Sequence, residues 1–131
     1  MSGAAFVYVS NADDGDISTY RLDDQGELHP GERVGVAKGV MPMAVSPDRR
    51  FLYAVSRSQP YAIHVLAIDP RNGALMLAST SPLAESLPYI SFDRTGRFLL
   101  GASYAASLVT VAGIGADGGV VLEHALTGGR T

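Results

Sequence analysis

Apolar and polar positions alternate with period two along short runs of this chain, and the runs come back in the same order. Phe6-Val7-Tyr8-Val9-Ser10, Phe51-Leu52-Tyr53-Ala54-Val55-Ser56 and Phe98-Leu99-Leu100-Gly101-Ala102-Ser103 read as one strand met three times. Tyr8 to Tyr53 is a step of 45 residues and Tyr53 to Leu100 a step of 47. A second strand follows each time (Ile17–Leu22, Ile63–Ile68, Leu108–Val111), and then a turn: Asp23-Asp24-Gln25-Gly26, Asp69-Pro70-Arg71-Asn72-Gly73 and Ala116-Asp117-Gly118-Gly119. Beyond each turn lies another strand, around Leu28–Val36, Leu75–Thr80 and Val120–Leu126. The second and third units are preceded by one more, Pro42–Ser46 and Pro88–Phe92, each leading through a polar turn into the Phe strand.

No stretch sustains a 3.6-residue apolar period, so helices are not expected. Four short antiparallel strands in a repeat of this length predict an all-β fold, a β-propeller. The expected blades cover approximately 6–36, 41–80 and 87–126, in a single partial propeller domain over residues 1–131. The first blade lacks one strand, because it opens directly on the Phe6 strand. A β-sandwich also offers many short strands, but it does not repeat strand and turn types in a matched order.

Propellers close with about four to eight blades, so about three blades leave two apolar faces and an unpaired strand edge open. Two covers are expected: further blades of a longer protein, or copies of the chain in a homo-oligomer. The ending Thr127-Gly128-Gly129-Arg130-Thr131 supplies no capping strand and reads as a truncation.

Composition narrows the function. The chain is 47% hydrophobic and carries a net charge of −3 with Lys38 as its single lysine, which argues against nucleic acid and against an anionic membrane surface as partners. Its lack of cysteine removes disulfides and thiolate metal sites. The opening Met1-Ser2-Gly3-Ala4-Ala5-Phe6 has no basic region followed by an apolar one, and no apolar run reaches the length of a membrane helix, so a cytoplasmic location is expected.

The stretch Pro42-Met43-Ala44-Val45-Ser46-Pro47-Asp48-Arg49-Arg50-Phe51-Leu52-Tyr53 resembles the P-x-x-V-S-P-D-x-R-x-L-Y pattern of lactonase-type propellers. Over nearly its whole length the chain is similar to the bacterial propeller-type 6-phosphogluconolactonase family, which also holds the fungal carboxymuconate-lactonizing enzymes. The resemblance implies a seven-bladed ring, a small-molecule lactone substrate (the lactone of 6-phosphogluconate), hydrolysis, and no cofactor or metal. It also implies a catalytic His with Arg and Glu partners on later blades, so the catalytic residues are expected beyond Thr131 and the isolated chain is expected to be inactive. The family's Asn after the third-unit strand is missing, since Ser103-Tyr104-Ala105-Ala106-Ser107 stands there. A non-catalytic propeller module that binds proteins or ligands on its loops, and a carboxymuconate-lactonizing enzyme, are the alternatives.

Lactone hydrolysis requires a base for water, donors for the oxyanion and cations for a phosphate. Arg57 matches an Arg of the bacterial family and suits bidentate binding of phosphate or carboxylate; its plain alternative is a solvated loop arginine. Tyr104 and Asn11, read as the same blade position in the third and first units, either face the pocket or cap the turn. His29, His64 and His124 show no metal-ligand spacing to a carboxylate or to one another. His64, in an alternating strand, reads as structural. Asp13-Asp14-Gly15-Asp16 lacks the rest of a calcium loop and reads as a solvated turn. Gly113-Ile114-Gly115-Ala116-Asp117-Gly118 matches a dinucleotide fingerprint only formally, because a strand rather than a helix follows. No nucleophile elbow and no P-loop occurs.

Overall fold

The computed structural model describes residues 5–127; residues 1–4 and 128–131, read above for a leader and a cap, lie outside the described residues. Eleven strands follow one another: β1 (Ala5–Asn11), β2 (Asp16–Leu22), β3 (Leu28–Gly35), β4 (Val40–Val45), β5 (Phe51–Ser56), β6 (Ala62–Ile68), β7 (Leu75–Pro82), β8 (Tyr89–Phe92), β9 (Phe98–Ser103), β10 (Leu108–Ile114) and β11 (Val120–Thr127). They form three antiparallel sheets, β1-β2-β3, β4-β5-β6-β7 and β8-β9-β10-β11, in simple up-and-down order. This is a partial β-propeller in which the first sheet has three strands and the others four. The sheets approach one another at β1, β4 and β8 and diverge at their outer strands. The edge formed by β4 and β8 is therefore the one nearest the axis about which the sheets fan.

The period-two pattern explains why the middle sheet holds the array together. Along β5, Leu52 and Ala54 point to one side and join Ile17, Val40 and Leu66 in a core between the first and second sheets. Tyr53 and Val55 point to the other side and join Ile63, Val65, Leu87, Ile90, Leu99 and Ala112 between the second and third. Both faces of β5 and β6 are buried, whereas β9 alternates strictly between exposed and buried positions. Each fully buried aliphatic side chain, such as Leu52 or Leu66, contributes roughly 2 kcal/mol by leaving water.

The sheets are also stapled in a repeated way. The Tyr8 hydroxyl donates to the Gly73 carbonyl (2.6 Å), and the Tyr53 hydroxyl donates to the Gly118 carbonyl (2.7 Å). Each time a strand of one sheet reaches the outer hairpin turn of the next. Phe6 and Phe51 lie against the same two glycines, whose positive φ angles of 75° and 83° and lack of Cβ allow the approach. Leu100 is the third-unit counterpart of Tyr8 and Tyr53, and it is 38% exposed.

Register refines the sequence alignment of the inner strands. Met43 pairs with Ala54 and Ile90 with Gly101, so Ile90, not Tyr89, stands where Met43 does. Matching Pro42 to Pro88 is one residue out, because pairing with β5 and β9 sets the position rather than the proline.

Candidate functional site

Strand direction sorts the loops onto two rims. One rim carries the ends of β1, β5 and β9, the starts of β2, β6 and β10, and the segments entering β4 and β8. Asn11, Arg57 and Tyr104 all lie on it. The other rim carries the outer hairpin turns and the turns β4–β5 and β8–β9.

Arg57 is the best placed of the three. Its main-chain N–H donates to the Gly39 carbonyl (2.9 Å), which ties the end of β5 to the residue before β4. Its Nε donates to Ser86 Oγ (3.1 Å), in the segment that leads into β8, and its Nη1 lies 4.0 Å from Met41 Sδ at the head of β4. The half-buried guanidinium is thus held between the entries of the two innermost strands. Among the described residues the salt bridges belong to His29, Arg33 and Arg71, so no carboxylate pairs with Arg57. An arginine anchored through Nε with no acidic partner presents its terminal N–H groups to an anionic ligand.

Asn11 and Tyr104 do not occupy the same position. With the Phe strands superposed, Asn11 corresponds to Ser56 and Ser103, one residue before Arg57 and Tyr104. Neighbouring positions on a strand face opposite ways, so the two residues cannot act as equivalents. Asn11 Nδ2 donates to Asp16 Oδ1 (2.9 Å) and Ser18 Oγ (2.8 Å), closing its own hairpin. Tyr104 is 79% exposed in the β9–β10 turn, where its carbonyl accepts from the Ser107 N–H.

The acidic turn beside Asn11 is tied to the protein. Asp14 and Asp16 both accept from Arg33 Nη2, and the hydrogen bond from Asn11, then Arg33, holds the Asp16 carboxyl below its usual range. Gly113 lies inside β10 and Val120 begins β11, so the glycine run spans a hairpin with no helix to receive a phosphate.

The histidines need one correction. Spacing separated them from carboxylates, yet His29 Nε2 lies 2.7 Å from Asp23 Oδ2, and one ligand atom from each of Asp23, Glu27 and His29 lies within 4.8 Å of the others. The β2–β3 hairpin folds residues 22 and 28 into register and so closes a six-residue gap. The arrangement already has internal work: Asp23 Oδ1 accepts from the Gln25 and Glu27 N–H groups, and the His29 hydrogen bond, then these, lower the Asp23 pKa. Among the described residues this is the one group of three with metal-ligand chemistry at such spacing, and it lies on the rim opposite Arg57.

His64 is buried, with Nε2 3.1 Å from Ser56 Oγ and Nδ1 3.2 Å from Thr80 Oγ1, and burial pushes its pKa down. The side chain of His124 lies outside the described residues.

Two clefts open between the sheets on the rim away from Arg57. One of about 860 Å³ is lined by Phe6, Tyr8, Arg49, Arg50 and Phe51, and one of about 330 Å³ by Arg50, Tyr53, Arg97 and Gly118. Arg50 and Arg97 lie over the rings of Phe51 and Phe98, at 5.2 and 5.7 Å from the ring centroids, and these clefts follow the seams between blades.

Sequence reasoning missed Ser86 and Met41. Neither belongs to a motif; they join Arg57 only because β4 and β8 begin side by side.

Residues 5–129 match the family described as lactonase, 7-bladed beta-propeller. The chain belongs to this lactonase propeller family. It is 40% identical over 105 residues to the 6-phosphogluconolactonase of Enterobacter sp. (strain 638), covering 80% of this chain and 31% of that protein. The 6-phosphogluconolactonase of Yersinia pestis (strain Pestoides F) is 38% identical over 112 residues, covering 86% of this chain and 33% of that protein. The chain therefore spans about a third of the length of the curated relatives it matches. The periplasmic gluconolactonase of Pseudomonas aeruginosa superposes with a TM-score of 0.86 at 20% identity, over 95% of this chain and 37% of that one, a likeness of fold alone. Among the described residues of this lactonase propeller no helix is long and apolar enough to cross a membrane.

Proposed function

We propose that the seven-bladed protein containing these sheets is a 6-phosphogluconolactonase-like hydrolase acting in the cytoplasm on a sugar-phosphate lactone. The observation that carries the reading is Arg57, a guanidinium without a carboxylate partner, held between the two innermost strands in a chain of the lactonase family. In this reaction water adds to the lactone carbonyl and the ring C–O bond of the tetrahedral intermediate breaks. The released alkoxide takes up a proton, leaving the open carboxylic acid.

Arg57 takes the anionic end of the substrate and fixes the ring against the rim. Tyr104 and Asn11 are lesser candidates: Tyr104 as an exposed contact, Asn11 through the hairpin it closes. The group that activates water belongs to the remaining blades. Those blades, or copies of this chain, cover the open faces of the first and third sheets.

The experiment is an acid-release assay on the seven-bladed protein with 6-phosphogluconolactone, unphosphorylated gluconolactone and a muconolactone. Fastest turnover of the phosphorylated lactone supports the reading. Preference for the muconolactone, or no hydrolysis above the spontaneous rate, overturns it.

A further inference from the structure

The contact between Arg57 and Ser86 joins two blades, and Ser86 has no other feature that would mark it. Arg57 follows β5 of the second sheet, while Ser86 precedes β8 of the third. Ser86 Oγ accepts from Arg57 Nε, the one guanidinium nitrogen that does not belong to the terminal fork. A carboxylate at that place would neutralise the cation and take its terminal N–H groups. A hydroxyl leaves the charge intact and the terminal fork without an acidic partner. Two further contacts restrict the arginine, its main-chain bond to Gly39 and the Met41 sulfur beside Nη1; the Ser10 hydroxyl, which donates to the Met41 carbonyl (2.9 Å), steadies the head of β4. Arg57 is thus a long, flexible side chain whose freedom is reduced before any ligand arrives, which lowers the entropy cost of binding.

We infer that Ser86 is a positioning residue: through Arg57 Nε it orients the guanidinium fork for the phosphate of the substrate, and it thereby sets the preference for phosphorylated over unphosphorylated lactone. This rests on the hydrolase reading given above. Ser86 touches Arg57 and not the reacting carbonyl, so its effect falls on binding of the phosphorylated substrate and not on the chemical step.

The test is a double-mutant cycle in the seven-bladed protein, with 6-phosphogluconolactone and unphosphorylated gluconolactone as probes and thermal unfolding to confirm that each variant is folded. Ser86→Ala is expected to raise KM for the phosphorylated lactone roughly 5-fold, about the net worth of one typical hydrogen bond, with kcat and the unphosphorylated substrate unchanged. Ser86→Thr, which keeps the hydroxyl, is expected to restore KM. Arg57→Met is expected to raise the same KM by roughly 30-fold or more, and adding Ser86→Ala to it to change nothing further. The inference is overturned if Ser86→Ala leaves the phosphorylated KM unchanged, affects both substrates equally, or adds its full effect on top of Arg57→Met. If the wild-type protein hydrolyses neither lactone, the functional reading itself fails, and the positioning role fails with it.

Discussion

Tyr53 and Gly118 are 65 residues apart in sequence, and the Tyr53 hydroxyl donates to the Gly118 carbonyl across the seam between the second and third sheets. Tyr8 and Gly73, also 65 residues apart, make the same bond across the preceding seam. Tyr53 is fully buried, and burial, followed by the nearby Asp48 and Asp117 charges, raises its pKa to about 12. Its hydroxyl therefore stays a neutral donor at any working pH. Tyr53→Phe leaves the Gly118 carbonyl without its partner in a buried seam and is expected to cost about 1–3 kcal/mol. Tyr8→Phe, at a half-buried seam, is expected to cost about 1 kcal/mol. Chemical denaturation of the purified variants checks both; equal, negligible losses would show that the seam relies on apolar packing alone.

The glycines under the staples predict a graded series. A Cβ on Gly118 would sit 2.7 Å from the Phe51 ring, and one on Gly73 2.5 Å from the Phe6 ring, each on a left-handed backbone. Gly26 has the same backbone form with nothing within 4 Å of such a Cβ. Gly26→Ala is expected to cost about 1 kcal/mol of backbone strain alone. Gly118→Ala and Gly73→Ala should cost about 2–4 kcal/mol, because overpacking of the aromatic ring is added. Denaturation midpoints falling equally in all three variants would refute the packing argument.

Arg49 is a non-glycine residue at φ 63°, in the β4–β5 turn, where the β8–β9 turn places Gly96 at φ 75°. The left-handed conformation costs an L-residue roughly 1–2 kcal/mol, and glycine returns roughly 0.5–1 of that as unfolded-state entropy. Arg49→Gly is expected to stabilise the protein by about 0.5–1 kcal/mol. A lower unfolding temperature in the variant would mean that Arg49 makes compensating interactions.

His64 predicts a stability change on mild acidification. Its pKa is lowered from 6.5 by burial, and its ring nitrogens meet the hydroxyls of Ser56 and Thr80. Below about pH 6.5 the unfolded chain takes up a proton that the native state refuses. The contribution is fully present above that pH and is lost as pH falls towards the lower native pKa. The depressed carboxylates act in a separate, more acidic window: Asp69, held at about 2 by Arg71, and Asp48, held down by the Ser46 hydroxyl, lose their contribution only as pH drops below 3.8. Unfolding temperatures between about pH 7.5 and 5.5 should fall in the wild type and stay flatter in His64→Gln. Parallel curves would exclude His64 as the source.

Much of this fold was legible in the chain itself. Alternation along Phe51–Ser56 and its two relatives announced strands, because a strand buries every second residue, and the Asp- and Gly-rich turns marked the hairpins. The candidate site was legible only in part. Arg57 was legible because it matches an Arg of the family the chain resembles, while Ser86 belongs to no repeat and has no short-range signal. The likening of Asn11 to Tyr104 failed by one residue, and one residue is enough to turn a side chain to the opposite face. Asp23 and His29 were read as unrelated because six residues separate them in sequence, and a hairpin brings such positions together.

By itself the sequence determined the class of the elements, their order and their grouping into repeats. These depend on local alternation and on turn residues, and both act between neighbours along the chain. Only the tertiary structure decided which blade touches which side chain: that Tyr8 meets Gly73, that Tyr53 meets Gly118, and that Arg57 is held by Ser86. Those contacts arise where different sheets come together, and their energy depends on the angle and spacing at which the sheets fan.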